Sequence, residues 1–323
     1  MEKRTILVTG ASGFIGSALC RQLASNAGFD TRAALRGNGQ APVAGAQAVR
    51  IADLAASTDW AAALAGVDTV VHAAARVHVM KETASDSLAE FRRVNVEGTL
   101  NLARQAAAAG VRRFIFISSV KVNGELSQPG KPLHADDVPA PQDAYGLSKL
   151  EAEQELRQLA ATTAMQVVVI RPTLVYGPGV KANFHSMMRW VQRGVPLPFA
   201  KVDNRRSLVS VANLVDLIIT CIDHPNAANQ TFMASDGEDV SLSQLLHALG
   251  RVLGQPARLL PVPVGVLHGA AQLVGRRDLA QRLLGSLQVD IAKNRQLLGW
   301  YPPYTLEQGL KMTAQSLLEA RRP

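Results

Sequence analysis

The run TILVTGASGFIG (5–16) joins a strand-like segment directly to a glycine-rich loop, and a helix-like segment follows it. Gly10 permits a tight turn, Gly13 lets the backbone approach a pyrophosphate, and Gly16 lets helix and strand pack closely. The first turn of the helix then presents free N–H groups and a positive dipole end to an anion. A glycine loop in this position predicts a nucleotide-binding α/β unit.

Strand-like and helix-like runs alternate through the first half of the chain. The strand-like runs are 4–10, 31–36, 48–53, 68–75, 113–120 and 166–172. The helix-like runs between them are 14–26, 59–65, 87–109 and 145–161. Near-continuous apolar strands separated by helices are typical of a parallel sheet covered on both faces. Right-handed crossovers then produce a doubly wound sheet.

The pattern changes after about residue 174, where prolines and glycines interrupt short helices and short strands. A chain of 323 residues suits two lobes better than one compact core. We predict an α/β fold in which a doubly wound parallel sheet, a Rossmann domain, spans 1–173. A smaller C-terminal substrate lobe spans 174–323, and some of its segments can return to the first domain.

Composition and charge limit the partners. The chain is 47% hydrophobic and 19% charged, which is typical of a soluble globular protein. Its net charge of +8 favours an anionic partner. It has no dense run of Lys and Arg, and only 5% of its residues are aromatic, so stacking platforms for nucleic acid are scarce. We therefore expect an anionic small molecule and no nucleic acid.

We expect a cytoplasmic protein with no stable membrane insertion and no metal site. The stretch 259–275 comes nearest to a membrane span, but prolines, a histidine and a glutamine break it. Cys20 and Cys221 lack C-x-x-C spacing, which indicates free thiols in a reducing compartment. No metal-ligand spacing relates the histidines His78, His134 and His185.

Arg36 stands at the end of the second strand-like run, twenty residues after Gly16. An acid near this point bonds the ribose 2′-hydroxyl in NAD-binding proteins, whereas an arginine accepts a 2′-phosphate through two hydrogen bonds. We therefore favour NADP(H) over NAD(H), with a solvent-exposed surface arginine as the alternative. Asp53, at the end of the third strand, is placed to bond the adenine amino group.

Tyr145 and Lys149 stand four residues apart where a helix-like run begins, in AYGLSK (144–149). One helical turn separates them, so they share a face. By themselves they indicate either a functional pair or an aromatic ring packed over an aliphatic stem.

The motifs together resemble the extended short-chain dehydrogenases/reductases, in the branch of nucleotide-sugar epimerases, dehydratases and reductases. The resemblance rests on the glycine loop, DL at 53–54, HAAA at 72–75, Asn95 in VNVEGTLNL, SSVKVNG and YGLSK. RPTLVYGPG (171–179) and RRSLVSVANLVD (205–216) resemble the substrate-lobe motifs of that branch. ISSVKVNGE and VKANF resemble bacterial proteins of surface-polysaccharide synthesis, such as those that make O-antigen.

This resemblance implies a catalytic trio. Tyr145 is the general acid and base, and Lys149 lowers its pKa while holding the nicotinamide ribose. The family's catalytic serine or threonine falls on Ser119, which bonds the sugar C4 oxygen. Ser118 should point to the other side of the strand. The cofactor-binding residues implied in this way are Gly10, Ser12, Gly13, Phe14, Ile15, Gly16, Arg36, Asp53, Leu54, Ala73, Ala74, Ala75, Tyr145, Lys149 and Pro172.

The substrate implied is a UDP-sugar. Its diphosphate would meet Arg206 and Asn183, and Arg282 corresponds less closely to a second family arginine. Dehydratases carry Asp-Glu where this chain has Val120 and Lys121, so we expect dehydration to be lost. Lys121 either reaches a substrate phosphate or carbonyl, or faces solvent. The predicted substrate-binding residues are thus Ser119, Lys121, Tyr145, Asn183, Arg206 and Arg282.

The reaction that we expect is reduction of a UDP-4-keto-6-deoxy-N-acetylhexosamine, because Arg36 favours NADPH. The alternative is a 4-epimerase of UDP-hexoses or UDP-N-acetylhexosamines with tightly held NAD. A remoter alternative is a non-catalytic NADP-binding sensor, although such relatives tend to lose the tyrosine or the lysine. The resemblance also implies a homodimer that pairs the helices at 87–109 and 145–161.

Overall fold

The main sheet has the strand order of a doubly wound fold. The computed structural model describes residues 3–37, 43–77, 87–128 and 130–319. Its strands are β1 Arg4–Thr9, β2 Phe29–Arg36, β3 Ala46–Ile51, β4 Thr69–His72, β5 Arg113–Ile117, β6 Gln166–Pro172, β7 Leu174–Tyr176, β8 Arg206–Ser210, β9 Thr231–Ala234 and β10 Asp239–Val240. Seven of them pair in the order β3-β2-β1-β4-β5-β6-β9, and all of these pairings are parallel. The predicted α/β fold with a doubly wound parallel sheet is confirmed.

Helices cover both faces of this sheet and build the second lobe. They are α1 Phe14–Ala24, α2 Ala61–Leu64, α3 Ser87–Phe91, α4 Thr99–Ala108, α5 Ala144–Thr162, α6 Ala182–Gln192, α7 Val211–Asp223, α8 Leu242–Leu253, α9 Val264–Leu273, α10 Arg277–Leu284, α11 Ala292–Leu298 and α12 Leu306–Glu319. A π-helical segment, Arg92–Gly98, joins α3 to α4, and short 3-10 turns lie at Val120–Val122 and Pro225–Ala227. The single helix predicted at 87–109 is therefore three helical pieces.

Burial on both faces explains why the strands read as continuous apolar runs. Successive side chains of a strand point to opposite faces of the sheet. In β1, Ile6 and Val8 pack in one core with Leu19 of α1, whereas Leu7 packs in the other core with Leu156 of α5. Each apolar side chain along the strand therefore finds a helix to pack against, whichever way it points.

The second lobe has its own sheet and core. Strand β8 pairs parallel with β7 and antiparallel with β10. Helices α6, α8 and α12 pack over these strands around Tyr176, Phe184 and Leu310. Strand β9 and helix α7 follow β7 in sequence but belong to the main domain, where β9 is an edge strand of the large sheet. The chain therefore crosses between the lobes more than once, and the boundary at residue 173 stays a prediction.

Among the residues that the structure describes, no helix combines the length and apolar character needed to cross a bilayer. Cys20 and Cys221 are free and buried, and burial raises the pKa of each thiol to about 12. Over the same described ranges, no three His, Cys, Asp or Glu residues cluster as ligands for a metal ion. His78 lies outside the described residues.

Candidate active site

The loop between β1 and α1 holds backbone segments so close together that only glycine fits. Gly10 has a φ of +66°, which favours glycine, and a Cβ there would lie 2.7 Å from the Ala74 backbone nitrogen. A Cβ on Gly16 would lie 2.1 Å from the Gly10 carbonyl oxygen. Gly13 begins α1, and no described side chain hydrogen-bonds to that helix end. The open N–H groups and the helix dipole suit a dinucleotide diphosphate.

The other predicted residues of this loop differ in exposure. Ser12 and Gly13 are exposed, so their backbone can meet a ligand. Phe14 and Ile15 are partly buried and pack against the core under α1. The exposed outer edge of the loop is therefore polar, whereas the side that faces the core is apolar.

Replacing Gly16 with alanine is expected to weaken dinucleotide binding at least about tenfold, because the loop must move away from the added methyl group. The control is Ser17→Ala, one residue later in the same helix, where the substitution removes only a weak 3.4 Å hydrogen bond to Phe14. Calorimetric titration of ligand-free protein measures both dissociation constants. Equal affinity for the two variants would contradict the assignment of this loop.

Arg36 and Asp53 meet at the edge where the adenosine ribose is expected. The Arg36 Nη1 atom lies 3.3 Å from Asp53 Oδ1, and the two side chains are 74% and 50% exposed. A hydrogen bond from the Leu54 backbone N–H at 2.8 Å, assisted by Arg36, lowers the pKa of Asp53. Asp53, just after β3, therefore places a carboxylate beside Arg36. Our NADP expectation was based on an arginine at the end of β2 with no acid on that strand, and the structure adds this acid from the end of the neighbouring strand.

The segment after β4 is held by buried polar side chains. His72 is fully buried, and its ring nitrogens lie 2.7 Å from Thr9 Oγ1 and 2.9 Å from Thr99 Oγ1. Burial lowers the pKa of His72 to about 3, so the imidazole is neutral. Asn95, in the π-helical segment, accepts from the Arg76 backbone N–H and donates to Ser148 Oγ. These bonds fix the predicted Ala73–Ala75 stretch, which is only partly buried, beside the glycine loop.

A cavity of about 370 Å³ lies between the two lobes, at the carboxyl ends of β5 and β6. Ligands of parallel α/β sheets bind at this edge. Most of its wall is apolar, and β7, β8, α8 and α10 contribute part of this apolar surface. The predicted residues that it brings together are Ser119, Lys121, Tyr145, Pro172, Asn183, Arg206 and Arg282.

Tyr145 lies in the first turn of α5 and lines the cavity. Its ring packs edge-on against Phe91, with the ring centroids 5.9 Å apart. Burial raises the pKa of Tyr145 to about 12, and the Asp143 carboxylate contributes in the same direction. The structure therefore differs from our expectation that Lys149 would lower this pKa.

Lys149 explains this difference. It is 2% exposed, and its Nζ donates to the Ile117 carbonyl oxygen at 2.8 Å and lies 4.4 Å from the Phe116 ring centroid. Burial lowers the pKa of Lys149 to about 7, although Glu153 opposes that change. A lysine that is only partly charged at neutral pH gives little electrostatic help to the phenolate.

The two serines after β5 face different surroundings. Ser119 lines the cavity, and its Oγ accepts from the Lys121 backbone N–H at 3.2 Å. Ser118 is buried, and its Oγ donates to Glu153 Oε1 at 2.6 Å. Ser119 is therefore the serine that can reach a ligand.

Lys121 does not simply face solvent. Its Nζ donates to Glu125 Oε1 at 3.0 Å and also pairs with Asp143 Oδ2. Arg282 Nη2 lies 3.7 Å from the same Glu125 oxygen. We call these four side chains, Lys121, Glu125, Asp143 and Arg282, the Lys121 cluster. Its two cations and two carboxylates balance in charge.

The diphosphate candidates lie on the second lobe. Arg206 Nη1 donates to the carbonyl oxygens of Arg282 at 2.8 Å and Gly285 at 3.0 Å, and burial lowers the pKa of Arg206. Asn183 lies in α6 and lines the cavity with an exposed side chain. Arg206 thus has no carboxylate bonded to it among the described residues, whereas Lys121 has two.

The sequence reasoning missed Asp143 and Glu125. Asp143 is the N-cap of α5 and accepts from the Gly146 backbone N–H at 2.7 Å. An aspartate just before a helix-like run is a known N-cap signal, so the N-cap role of Asp143 could have been predicted from the sequence. Glu125 stands four residues after Lys121, but we predicted no helix there and so had no reason to pair the two, whereas the structure has a 3-10 turn at Val120–Val122.

Comparison with known proteins agrees with this arrangement. The family model described as "NAD dependent epimerase/dehydratase family" matches residues 6–234. A Vibrio cholerae protein named UDP-glucose 4-epimerase is 49% identical over 326 residues, which cover 98% of this chain and 96% of that protein.

Two further likenesses are more distant. An Escherichia coli O157:H7 protein named N-acetyl-alpha-D-glucosaminyl-diphospho-ditrans,octacis-undecaprenol 4-epimerase is 29% identical over 324 residues, covering 96% of this chain and 94% of that protein. The crystal structure of a Bacillus cereus UDP-glucuronic acid 4-epimerase in complex with NAD superposes with a TM-score of 0.78 at 22% identity. It covers 98% of this chain and 100% of that one. At this identity the structural likeness supports the fold alone.

Proposed function

Because the chain belongs to the NAD dependent epimerase/dehydratase family, within the extended short-chain dehydrogenases/reductases, we propose that it is a 4-epimerase of UDP-hexoses or UDP-N-acetylhexosamines. The observation that carries this proposal is the cavity that joins Ser119 and Tyr145 to Asn183 and Arg206 beside the glycine loop's domain. The 4-epimerase was our alternative to a 4-keto-reductase, and it is now the better supported of the two. Both relatives described above carry names of 4-epimerases.

NAD is the better supported cofactor. Our preference for NADP rested on Arg36 and on the lack of an acid at the end of its own strand, but Asp53 at the end of the neighbouring strand pairs with Arg36. A 2′-phosphate would have to approach this carboxylate, which repels it, whereas a ribose 2′-hydroxyl can donate to it. The B. cereus structure that shares this fold contains NAD. When bound, the dinucleotide supplies the reversible two-electron oxidation of the sugar C4 carbon.

Side chains of the protein transfer the proton of the C4 hydroxyl and orient the C4 oxygen. Tyr145 Oη takes the proton of the C4 hydroxyl and later returns it to the C4 oxygen on the other face of the sugar. Ser119 Oγ donates a hydrogen bond to that oxygen and orients it toward Tyr145. Lys149, one helical turn further along α5, would hold the nicotinamide ribose when its Nζ turns away from the Ile117 carbonyl oxygen. The apolar wall of the cavity excludes water while the sugar turns.

The diphosphate is held apart from the reacting carbon. Among the described side chains that line the cavity, Arg206 is the cation without a bonded carboxylate, so we assign its guanidinium to a diphosphate oxygen. Asn183 offers an amide on the facing helix. With the nucleotide end fixed in this way, the sugar can rotate about the diphosphate and present either face. The homodimer, the cytoplasmic location and a role in surface-polysaccharide synthesis stay predictions.

The purified protein should release NAD on denaturation, and it should convert UDP-glucose or UDP-N-acetylglucosamine to its C4 epimer until equilibrium. No net reduced dinucleotide should accumulate, because the oxidation is reversed within each turnover. Chromatography of the released cofactor and proton NMR of the sugar nucleotides measure both. Consumption of NADPH by a UDP-4-keto-6-deoxy sugar, with no epimer formed, would establish the reductase instead.

A further inference from the structure

Lys121 contacts Ser119 directly and contacts the N-cap of the helix that carries Tyr145, and all three of Ser119, Lys121 and Tyr145 line the cavity. The Lys121 backbone N–H donates to Ser119 Oγ at 3.2 Å. Its ammonium pairs with Asp143, which stands two residues before Tyr145 and caps the same helix. The Lys121 side chain is 28% exposed and the Asp143 side chain 27%, so water screens this pair only in part. The backbone of Lys121 thus meets the serine, and its side chain meets the aspartate that begins the helix of the tyrosine.

The other charged groups around Tyr145 are few and come from several elements. Lys149 lies one turn further along α5, and its Nζ is directed to Ile117. Glu125 shares its carboxylate between Lys121 and Arg282 of α10. On the side of α3, Phe91 packs on the Tyr145 ring, and Arg76 lies 6.0 Å from the centre of the Phe91 ring. Of these, the Asp143 carboxylate is the group that raises the pKa of Tyr145, after burial.

We propose that Lys121 is a positioning residue that offsets the Asp143 carboxylate beside Tyr145 and so sets the pH range over which Tyr145 can accept the substrate proton. The substrate proton in this inference rests on the proposed epimerase function, whereas the electrostatic effect of Lys121 and Asp143 on Tyr145 does not. A carboxylate near a phenol opposes the phenolate, and a cation that neutralises the carboxylate removes that opposition. Lys121 is already bonded to two carboxylates, so it has little charge to offer a substrate phosphate.

A double-mutant cycle that removes the charges of Lys121 and Asp143, singly and together, tests this inference. Asparagine at position 143 keeps the N-cap, because Asn and Asp cap helices about equally well. Lys121→Met should shift the rising limb of the kcat/KM–pH profile up by about one unit, and Asp143→Asn should shift it down by a similar amount. The double variant should return to within about 0.3 units of the unmodified protein. Lys121→Arg keeps the charge and should shift the limb little.

A direct titration separates this proposal from the epimerase proposal. The chain has four tyrosines, so the ultraviolet difference between each protein and its Tyr145→Phe counterpart isolates the ionisation of one phenol. The same opposite shifts should appear in the NAD-bound protein without any sugar. If the shifts appear but no UDP-sugar is converted, only the epimerase proposal fails. If Lys121→Met raises KM without moving either midpoint, or Asp143→Asn does not compensate for it, Lys121 is a substrate ligand or a structural residue and our inference is wrong.

Discussion

Replacing Tyr145 with phenylalanine is expected to lower kcat/KM for C4 epimerisation about a thousandfold, because no other group that lines the described cavity can exchange a proton at its position. Phenylalanine keeps the edge-on contact with Phe91, so the fold and the dinucleotide content should not change. Initial rates measured by coupled assay, together with the thermal unfolding midpoint and the released NAD, check the three expectations.

The matched control is Tyr301→Phe, which removes a hydroxyl from a side chain that is 64% exposed and is not among the residues that line the cavity. This variant should keep the activity of the unmodified protein. A Tyr145→Phe protein with more than about a tenth of the original kcat/KM would remove Tyr145 from the reaction, since a general base contributes at least about a hundredfold.

Replacing Glu153 with glutamine is expected to lower the free energy of unfolding by about 3–5 kcal/mol. Glu153 is fully buried and accepts from Arg171 Nε at 2.9 Å and Nη2 at 2.6 Å. Arg171 is 1% exposed, so loss of the carboxylate leaves a buried guanidinium without its counter-charge. The glutamine amide has one acceptor oxygen instead of two, so Ser118 and Arg171 compete for it. Urea unfolding at constant m-value measures the change.

Arg157→Gln is the control for this substitution. Arg157 Nη2 pairs with the same Glu153 carboxylate at 3.2 Å, but the arginine side chain is 47% exposed. Solvent screens such a pair, so its loss should cost less than about 1 kcal/mol. Equal losses for the two variants would mean that the Glu153–Arg171 pair contributes no more than a surface ion pair.

Most strands of the large sheet could be predicted from the sequence, because each forms a short run of apolar residues. Ile6, Leu7 and Val8 are all apolar because both faces of β1 are covered, and this leaves a continuous run in the sequence. Helix α8, at Leu242–Leu253, is marked by a local signal as well, because Ser241 and Gln244 form a capping box at its start. Strand β9 was not predicted as part of the sheet, because its place beside β6 depends on a chain return that no local pattern records.

The candidate site, like the fold, could be predicted only in part from the sequence. Spacing and family motifs predicted the residues that line the cavity, including Ser119, Asn183 and Arg206. They could not predict the electrostatic state of those residues. Burial and Asp143 together raise the pKa of Tyr145 to about 12, and the partners of Lys121 lie in two different segments. Sequence motifs do not record such effects, because the effects depend on the distances between side chains of different segments in the folded protein.

The sequence alone determined the glycine loop and the alternation of strands and helices in the first half of the chain, and its family motifs singled out Tyr145 and Ser119 as the proposed reacting residues. Each of these depends on a few neighbouring residues, whose backbone and periodicity preferences act locally. Only the tertiary structure decided that Asp53 pairs with Arg36 and that the Lys121 cluster closes beside Tyr145. Electrostatic interactions depend on separation and burial, and the packing of distant segments sets both.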